Sequence, residues 1–503
     1  MKSGITYIGF RFSVALTFLI FFGKGFAKNS IVFNQKCLNA QQEIYAFKLT
    51  SANTTLNIEE QINPSNAAAA YLKTMVSVLK YLATESSGDF SMMESNKKKA
   101  LDLLADCDEL SGYRDFLKAE IYFYSSVANG KKGNSLSAGN DIRHAYNFAN
   151  DVLKKYPNFV AANKTKGIIS SGLGSLPETY RKLVNVLGYS GGMDEGISLI
   201  NKFRNAPSLK PEFKLMQEEA NFYLASIYLY LKNDATKCWE IVDSYTKNFA
   251  NNPLKAFARI HFAEKCKKNE EVIRIAEQFP KGSDFQKISY IHFVHGKAKL
   301  QRLDKDADVV LKTFIKENTG KNYIKSCYQK LAWHALINGK TDQYNEYILK
   351  LSGNGNTNLE EDEQAQKEAE SSVKPNAVLL KSRLLFDGGY YQKALEGLNG
   401  YKSENFATIE LKTEYAYRKA RIYDALHYDP PAIEYYKATI QAGEKLSNYY
   451  ASYACIYLAE IYERQKNKNE AIAYYKKATT FSANKEYKKS IELKAKNGLE
   501  RLK

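Results

Sequence analysis

Residues Tyr453 to Asn484 read YACIYLAEIYERQKNKNEAIAYYKKATTFSAN. Small residues fall at Ala459, Ala471 and Ala478, and larger ones at Leu458, Tyr462 and Tyr475. Two short antiparallel helices approach closely only where small side chains face each other, with larger neighbours filling the seam. The stretch between them, Arg464 to Asn469, is polar and Asn/Lys-rich, as a short helix connection requires. One such hairpin cannot bury its own apolar face, so neighbours of the same kind must stack on it.

The spacing Leu458-Ala459-x2-Tyr462…Ala471-x3-Tyr475 resembles a tetratricopeptide repeat, with Ala for Gly and Tyr for Phe. Two more copies precede it, marked by Gly389-x-Tyr391-x2-Ala394 and by Ala420-x2-Tyr423…Ala432-x3-Tyr436. The alanines opening each second helix fall at 394, 432 and 471, so the steps are 38 and 39 residues and the helices or loops are lengthened. Further upstream the matches are partial: Ala119/Tyr122, Leu224-Ala225-x2-Tyr228, Gly296 and Leu331-Ala332. The reading is an all-α fold, a right-handed α-solenoid of tetratricopeptide-like antiparallel helix pairs. Residues 28–351 form an N-terminal section of degenerate repeats, polar and irregular as far as Pro64 and helical from Ala67. Residues 352–376, SGNGNTNLEEDEQAQKEAESSVKPN, read as a Gly/Asn-rich and then acidic linker in solvent. Residues 377–503 carry the C-terminal repeats, with Lys485 to Leu502 as the capping helix such arrays need.

A second local pattern lies at Gly167 to Phe203, GIISSGLGSLPETYRKLVNVLGYSGGMDEGISLINKF. Ser175-x-x-Glu178 with Pro177 starts a helix, and Gly188 to Gly192 turns the chain into the next one. Its Ser-Leu-Pro, Lys182-Leu183, Leu187-Gly188-Tyr189 and Gly196-x-x-Leu199 resemble the signature region of the tetratricopeptide-repeat 39 family. The yeast branch of that family includes an outer mitochondrial membrane protein linked to lipid droplets and inclusion clearance. The resemblance implies a lipid-associated role, which a contiguous apolar groove among these residues would support.

The first residues point elsewhere. Lys2 and Arg11 precede an apolar run from Phe12 to Phe22, and Gly25-Phe26-Ala27 follows. That is a secretory signal peptide, residues 1–27, cleaved after Ala27. The run is too short to span a membrane, which takes about 20 residues. The chain is expected to be exported, periplasmic or outer-membrane-associated. Six cysteines in an oxidising compartment allow 15 pairings. Their wide separation and apolar surroundings favour isolated buried thiols, with room for one bridge.

Composition narrows the function classes. The net charge is +17, and losing Lys2, Arg11 and Lys24 with the signal leaves +14. The lysines are interleaved with acids and form no arginine-rich tract, which argues against nucleic acid. Aromatics are 37 Tyr and 26 Phe against 2 Trp, a balance suited to helix seams rather than to a carbohydrate platform. Motifs for phosphate loops, nucleophile elbows and zinc helices are lacking; Gly339-Lys340-Thr341 has no glycine at the required place before it. His292 and His295 share a helix face without a third ligand, so no metal and no cofactor are expected. The reading is a non-catalytic adaptor or scaffold for protein partners of the cell envelope, with no integral membrane span and no small-molecule role. The alternative is an outer-membrane-associated glycan- or nutrient-binding, or lipid-associated, helical protein. Solenoids present first-helix side chains on a concave face, and there the candidates are Tyr417, Arg421, Asp424, Ile456, Glu460 and Arg464.

Overall fold

Alanine decides how the last helix pairs meet. In the computed structural model Ala459, Ala471 and Ala478 are fully buried, and Leu458 and Tyr475 close the seam with them. Tyr462 lies half-buried at the rim of the seam, its ring stacked 5.7 Å from that of Tyr474. The Tyr475 ring presses so closely on the following helix that a Cβ on Gly498 would lie 2.3 Å from it. Only glycine fits that crossing.

The structure describes residues 29–108, 111–176, 181–182, 186, 188–371, 373–481 and 487–502. The signal sequence, the Pro177–Glu178 half of the capping box, Leu183 and Leu187 of the family-like stretch, and the first residues of the expected terminal helix lie outside them. Among the described residues there is no strand, only one isolated bridge between Ser30 and Asn66, and the fold is all-α.

Helices follow one another in antiparallel pairs. The N-terminal half holds α1 (Gln35–Tyr45), α2 (Leu49–Ile62), α3 (Ala67–Thr84), α4 (Ser87–Ala105), α5 (Tyr113–Lys132), α6 (Ser135–Lys155), α7 (Ala162–Gly174) and α8 (Met193–Arg204). Then come α9 (Met216–Ser226, prolonged by a π-turn), α10 (Ala235–Thr246), α11 (Pro253–Lys265), α12 (Asn269–Glu277), α13 (Tyr290–Gln301) and α14 (Ala307–Glu317). The remainder is α15 (Ile324–Ile337), α16 (Thr341–Gly353), α17 (Glu360–Glu370), α18 (Ala377–Asp387), α19 (Tyr391–Glu396), α20 (Ile409–Ala425), α21 (Asp429–Gly443), α22 (Tyr450–Arg464), α23 (Lys468–Phe481) and α24 (Lys488–Arg501). The first helices of successive pairs, such as α18, α20, α22 and α24, also touch one another, whereas the second helices splay apart. That asymmetry curves the stack and puts the first helices on its inner face.

Three expectations need correction. Residues 29–64 are not irregular, because α1 and α2 form a hairpin whose Cys37, Ala40, Ile44, Leu49, Ala52 and Leu56 are buried. Its polar ends reach distant partners: Gln41 donates to the Glu212 carbonyl at 2.8 Å, Asn252 to the Tyr45 carbonyl at 3.0 Å, and the Gln286 amide to the Phe47 carbonyl at 2.9 Å. The end of α3 is tied in the same way, with the Thr319 hydroxyl donating to the Thr84 carbonyl at 2.6 Å. The stack therefore winds back upon itself.

Residues 352–376 are a solvated linker only in part: 352–355 are exposed, but 360–370 are a packed helix. Glu360–Glu370 is the helix α17, and its Asp362 is buried over the start of α15. There it accepts from the amides of Tyr323 at 2.6 Å and Ser326 at 2.8 Å, capping a helix N-terminus that leaves such donors unsatisfied. Finally, the apolar residues of 167–203 form no groove among the described residues. Ile169, Ile197, Ile200 and Phe203 are buried where α7 and α8 cross over glycine, and a Cβ on Gly196 would meet the Gly167 carbonyl at 2.4 Å.

None of the six cysteines is in a disulfide. Five are buried; the thiols of Cys238 and half-buried Cys266 adjoin, and sharing a proton raises the pKa of Cys238 and lowers that of Cys266.

Candidate functional site: the inner face of the C-terminal half

The sequence-derived positions divide. Tyr417 and Ile456 are buried and form no part of a surface. Tyr417 lies beneath the next repeat, its ring 5.0 Å from that of Tyr450. A straight stripe along a helix drifts across the neighbouring helix, so it begins inside the seam and emerges only toward the C-terminal end. Asp424 and Arg464 meet each other: the Arg464 guanidinium lies 2.8 Å from Asp424 and 3.3 Å from Asp429, and Asp424 also accepts from the Tyr436 hydroxyl at 3.0 Å. These groups tie repeat to repeat. Glu460 is half-buried on the inner side, where burial raises its pKa against the pull of Lys494 and Arg421.

Arg421 is different. Its guanidinium stacks 3.6 Å from the Tyr457 ring centroid and 5.1 Å from that of Phe386. It has no hydrogen bond and no ion pair with any described residue. A delocalised guanidinium tolerates an aromatic face well, but its five N–H donors then lack acceptors.

The same arrangement continues onto α18 and α15. Trp333 lies between two cations, with Lys330 at 4.3 Å and Arg383 at 4.8 Å from its ring. Arg383 has only a loose contact with Asp387 at 3.7 Å, and the Lys330 ammonium donates to neutral Gln329 at 2.6 Å. Burial pushes the Lys330 pKa down to about 8. Lys330, Trp333 and Arg383 line a cavity of about 270 Å³ together with Lys297 and Gln329 of the same inner face.

What closes one side of this cavity is α17. Its Glu361 lies 3.0 Å from Lys297, and its Glu368 accepts from the Trp333 indole at 2.7 Å and from Gln329 at 2.6 Å. Burial disfavours the Glu361 charge, but Lys297 and Lys265 outweigh it and hold the pKa at about 2. An acidic helix of the chain thus rests on the cationic and aromatic inner face, where Glu361 and Glu368 also draw on the Lys330 charge. His292, for its part, lies 3.3 Å from Glu317, and among the described residues no group of three His, Cys, Asp or Glu side chains could hold a metal ion.

Helix pairs, inner first helices and a tetratricopeptide-like seam define the class: the chain is an all-α repeat solenoid. No protein-family model matches it, and no curated protein matches it. Among solved structures, yeast Tom70 is 13% identical over 92% of this chain and 88% of its own, with a TM-score of 0.25. The Cut9–Hcn1 hetero-tetramer of APC/C is 12% identical over 92% and 95%, TM-score 0.24. A monomeric mutant of IFIT1 with m7Gppp-AAAA is 14% identical over 88% and 89%, TM-score 0.24. Superposition is too poor at these scores to carry any argument about function. No described helix is long and apolar enough to cross a membrane.

Proposed function

We propose that this protein is a non-catalytic scaffold that grips an acidic polypeptide segment along the inner face of α15, α18, α20 and α22. The observation that carries the reading is Arg421, a stacked guanidinium on an inner helix that makes no hydrogen bond or ion pair with a described carboxylate, though Glu460 and Asp424 lie in its field. Arg383, with only a loose contact to Asp387, and Lys330, bonded to neutral Gln329, extend the ring-stacked positive charge along the face. Arginine on an aromatic ring is the residue of choice for carboxylate recognition at interfaces, since its fork meets both oxygens. The internal helix α17 supplies the precedent, because its Glu361 and Glu368 already use Lys297 and Trp333 in this way. We also propose that the protein is exported, its partners belong to the cell envelope, and the signal sequence is removed after Ala27. Intact-mass measurement of protein recovered from the envelope fraction checks the last point: a chain starting at Lys28 is expected, and one retaining Met1 contradicts it.

The binding test is an anisotropy titration with a fluorescein-labelled peptide of sequence LEEDEQAQKEAES, against a control peptide in which each Glu and Asp is Gln or Asn. Saturable binding of the acidic peptide alone is expected, weakened at least tenfold by Arg421→Glu. Equal binding of both peptides, or indifference to that substitution, overturns the reading.

A further inference from the structure

The inner face of the N-terminal half carries a cavity of another kind. Residues of α1, α3, α5, α9, α10 and α11 wall a space of about 300 Å³, the lower end of the range for small-molecule pockets. Its walls are apolar: Val78, Leu79, Leu82, Phe222 and Phe257 among them. All but Val78 are only partly buried, so the cavity leaves apolar surface in contact with water that a ligand would cover. A space of that size, walled almost wholly by apolar side chains, is on the scale at which small molecules bind.

The polar groups in the wall say which kind. Each charged group has its own opposite: Glu219 lies 3.0 Å from Lys164 and accepts from the hydroxyls of Tyr124 at 2.8 Å and Tyr45 at 3.2 Å. Glu218 lies 2.7 Å from Lys255. No charge in the cavity calls for a counter-ion from a ligand. One group does lack a partner. The Tyr245 hydroxyl is buried and makes no hydrogen bond, a condition that buried hydroxyls rarely tolerate.

We propose that this cavity binds an uncharged single-chain amphiphile. Its alkyl tail lies against Val78, Leu79, Leu82, Phe222 and Phe257, and its hydroxyl or carbonyl group pairs with the Tyr245 hydroxyl. The site stands apart from the cationic face and does not depend on it.

The test is calorimetric titration of the purified protein with decan-1-ol, with decane and decanoate as comparisons. Saturable one-to-one binding of decan-1-ol is expected, tighter than that of decanoate. Tyr245→Phe keeps the ring and removes the hydroxyl, so it is expected to weaken decan-1-ol about three- to tenfold and to leave decane unchanged. Leu79→Trp fills the space and is expected to abolish binding; should circular dichroism show that variant unfolded, Val127→Phe serves in its place. Absence of saturable binding overturns the proposal, as does tighter decanoate binding, indifference to Tyr245→Phe, or indifference to the filled cavity.

Discussion

Two arginines at the ends of inner helices look alike in sequence and do different work. Arg464 is held between Asp424 and Asp429, whereas Arg421 lies on an aromatic ring and bonds directly to no described carboxylate. Arg464→Glu is expected to lower stability by about 1 kcal/mol, because an exposed ion pair is worth little and its reversal adds repulsion. Thermal denaturation checks this, and peptide affinity is expected to hold. Arg421→Glu is expected to abolish binding, with a fall in melting temperature of its own from the lost stacking on Tyr457 and the new like charge near Glu460. Lys330 adds a pH dependence. Its pKa of about 8 in the free protein rises when a carboxylate pairs with it, so binding takes up a proton. Affinity for an acidic segment is therefore expected to be flat below pH 8 and to fall as pH rises above it; an affinity that climbs across that range contradicts the assignment. The sequence held a signal for this part of the site that went unread. Lys330 and Trp333 stand three apart and so share a helix face, but they belong to a degenerate repeat where the eye is not drawn to the inner positions. Tyr417 and Ile456 were misplaced for the opposite reason: the repeat is clear there, yet the drift of a helical stripe into the seam depends on crossing geometry that spacing alone does not carry.

At the level of elements, the C-terminal pairs were legible because close helix crossing demands small residues at fixed places. Ala394, Ala432, Ala471, Ala478 and Ala495 are all fully buried. The helix α17 was not legible, since Glu360, Glu361, Asp362 and Glu363 in a row read as solvated charge. Glu360 and Glu363 are indeed exposed, but Asp362 is buried and Glu361 half-buried, held by Lys297 and by the amides of Tyr323 and Ser326, partners distant in sequence. Asp362→Ala is expected to cost about 1–2 kcal/mol, the usual loss on removing a helix cap, as measured by urea denaturation. Between α7 and α8 the crossing is tighter still, and Gly196→Val forces a side chain against the Gly167 carbonyl. A loss of about 3 kcal/mol or more is expected there, at the upper end of overpacking costs, and an unchanged midpoint of unfolding would contradict the crossing described.

The whole molecule is a stack that winds back on itself, and its two inner halves differ in chemistry. The N-terminal half presents an apolar cavity with internally paired charges; the C-terminal half presents cations laid on rings. At the floor of the first half Lys164 is fully buried against Glu120 at 2.7 Å and Glu219 at 3.0 Å, joining α5, α7 and α9. Burial raises the Glu120 pKa, and Lys164 is the main counterweight. Lys164→Met is expected to cost about 3–5 kcal/mol at pH 7, as breaking one side of a buried pair does. A group whose folded pKa is raised favours folding as it protonates, so the deficit is expected to shrink as pH falls toward the ordinary carboxylate range. Denaturation midpoints at pH 7 and pH 5 check the sign. The solenoid class was legible from one hairpin, but the return of α1 and α2 to residues near 212, 252 and 286 was not, because those contacts all end on backbone carbonyls, one of them from a backbone amide, and leave no periodic trace.

The central claim is that the inner face of the C-terminal half is the binding surface. Hydrogen–deuterium exchange with and without the acidic peptide LEEDEQAQKEAES tests it most directly. Slowed exchange is expected along Ala377–Asp387, Ile409–Ala425 and Tyr450–Arg464. Protection confined to the outer helices Asp429–Gly443 and Lys468–Phe481, or no protection at saturating peptide, would contradict it.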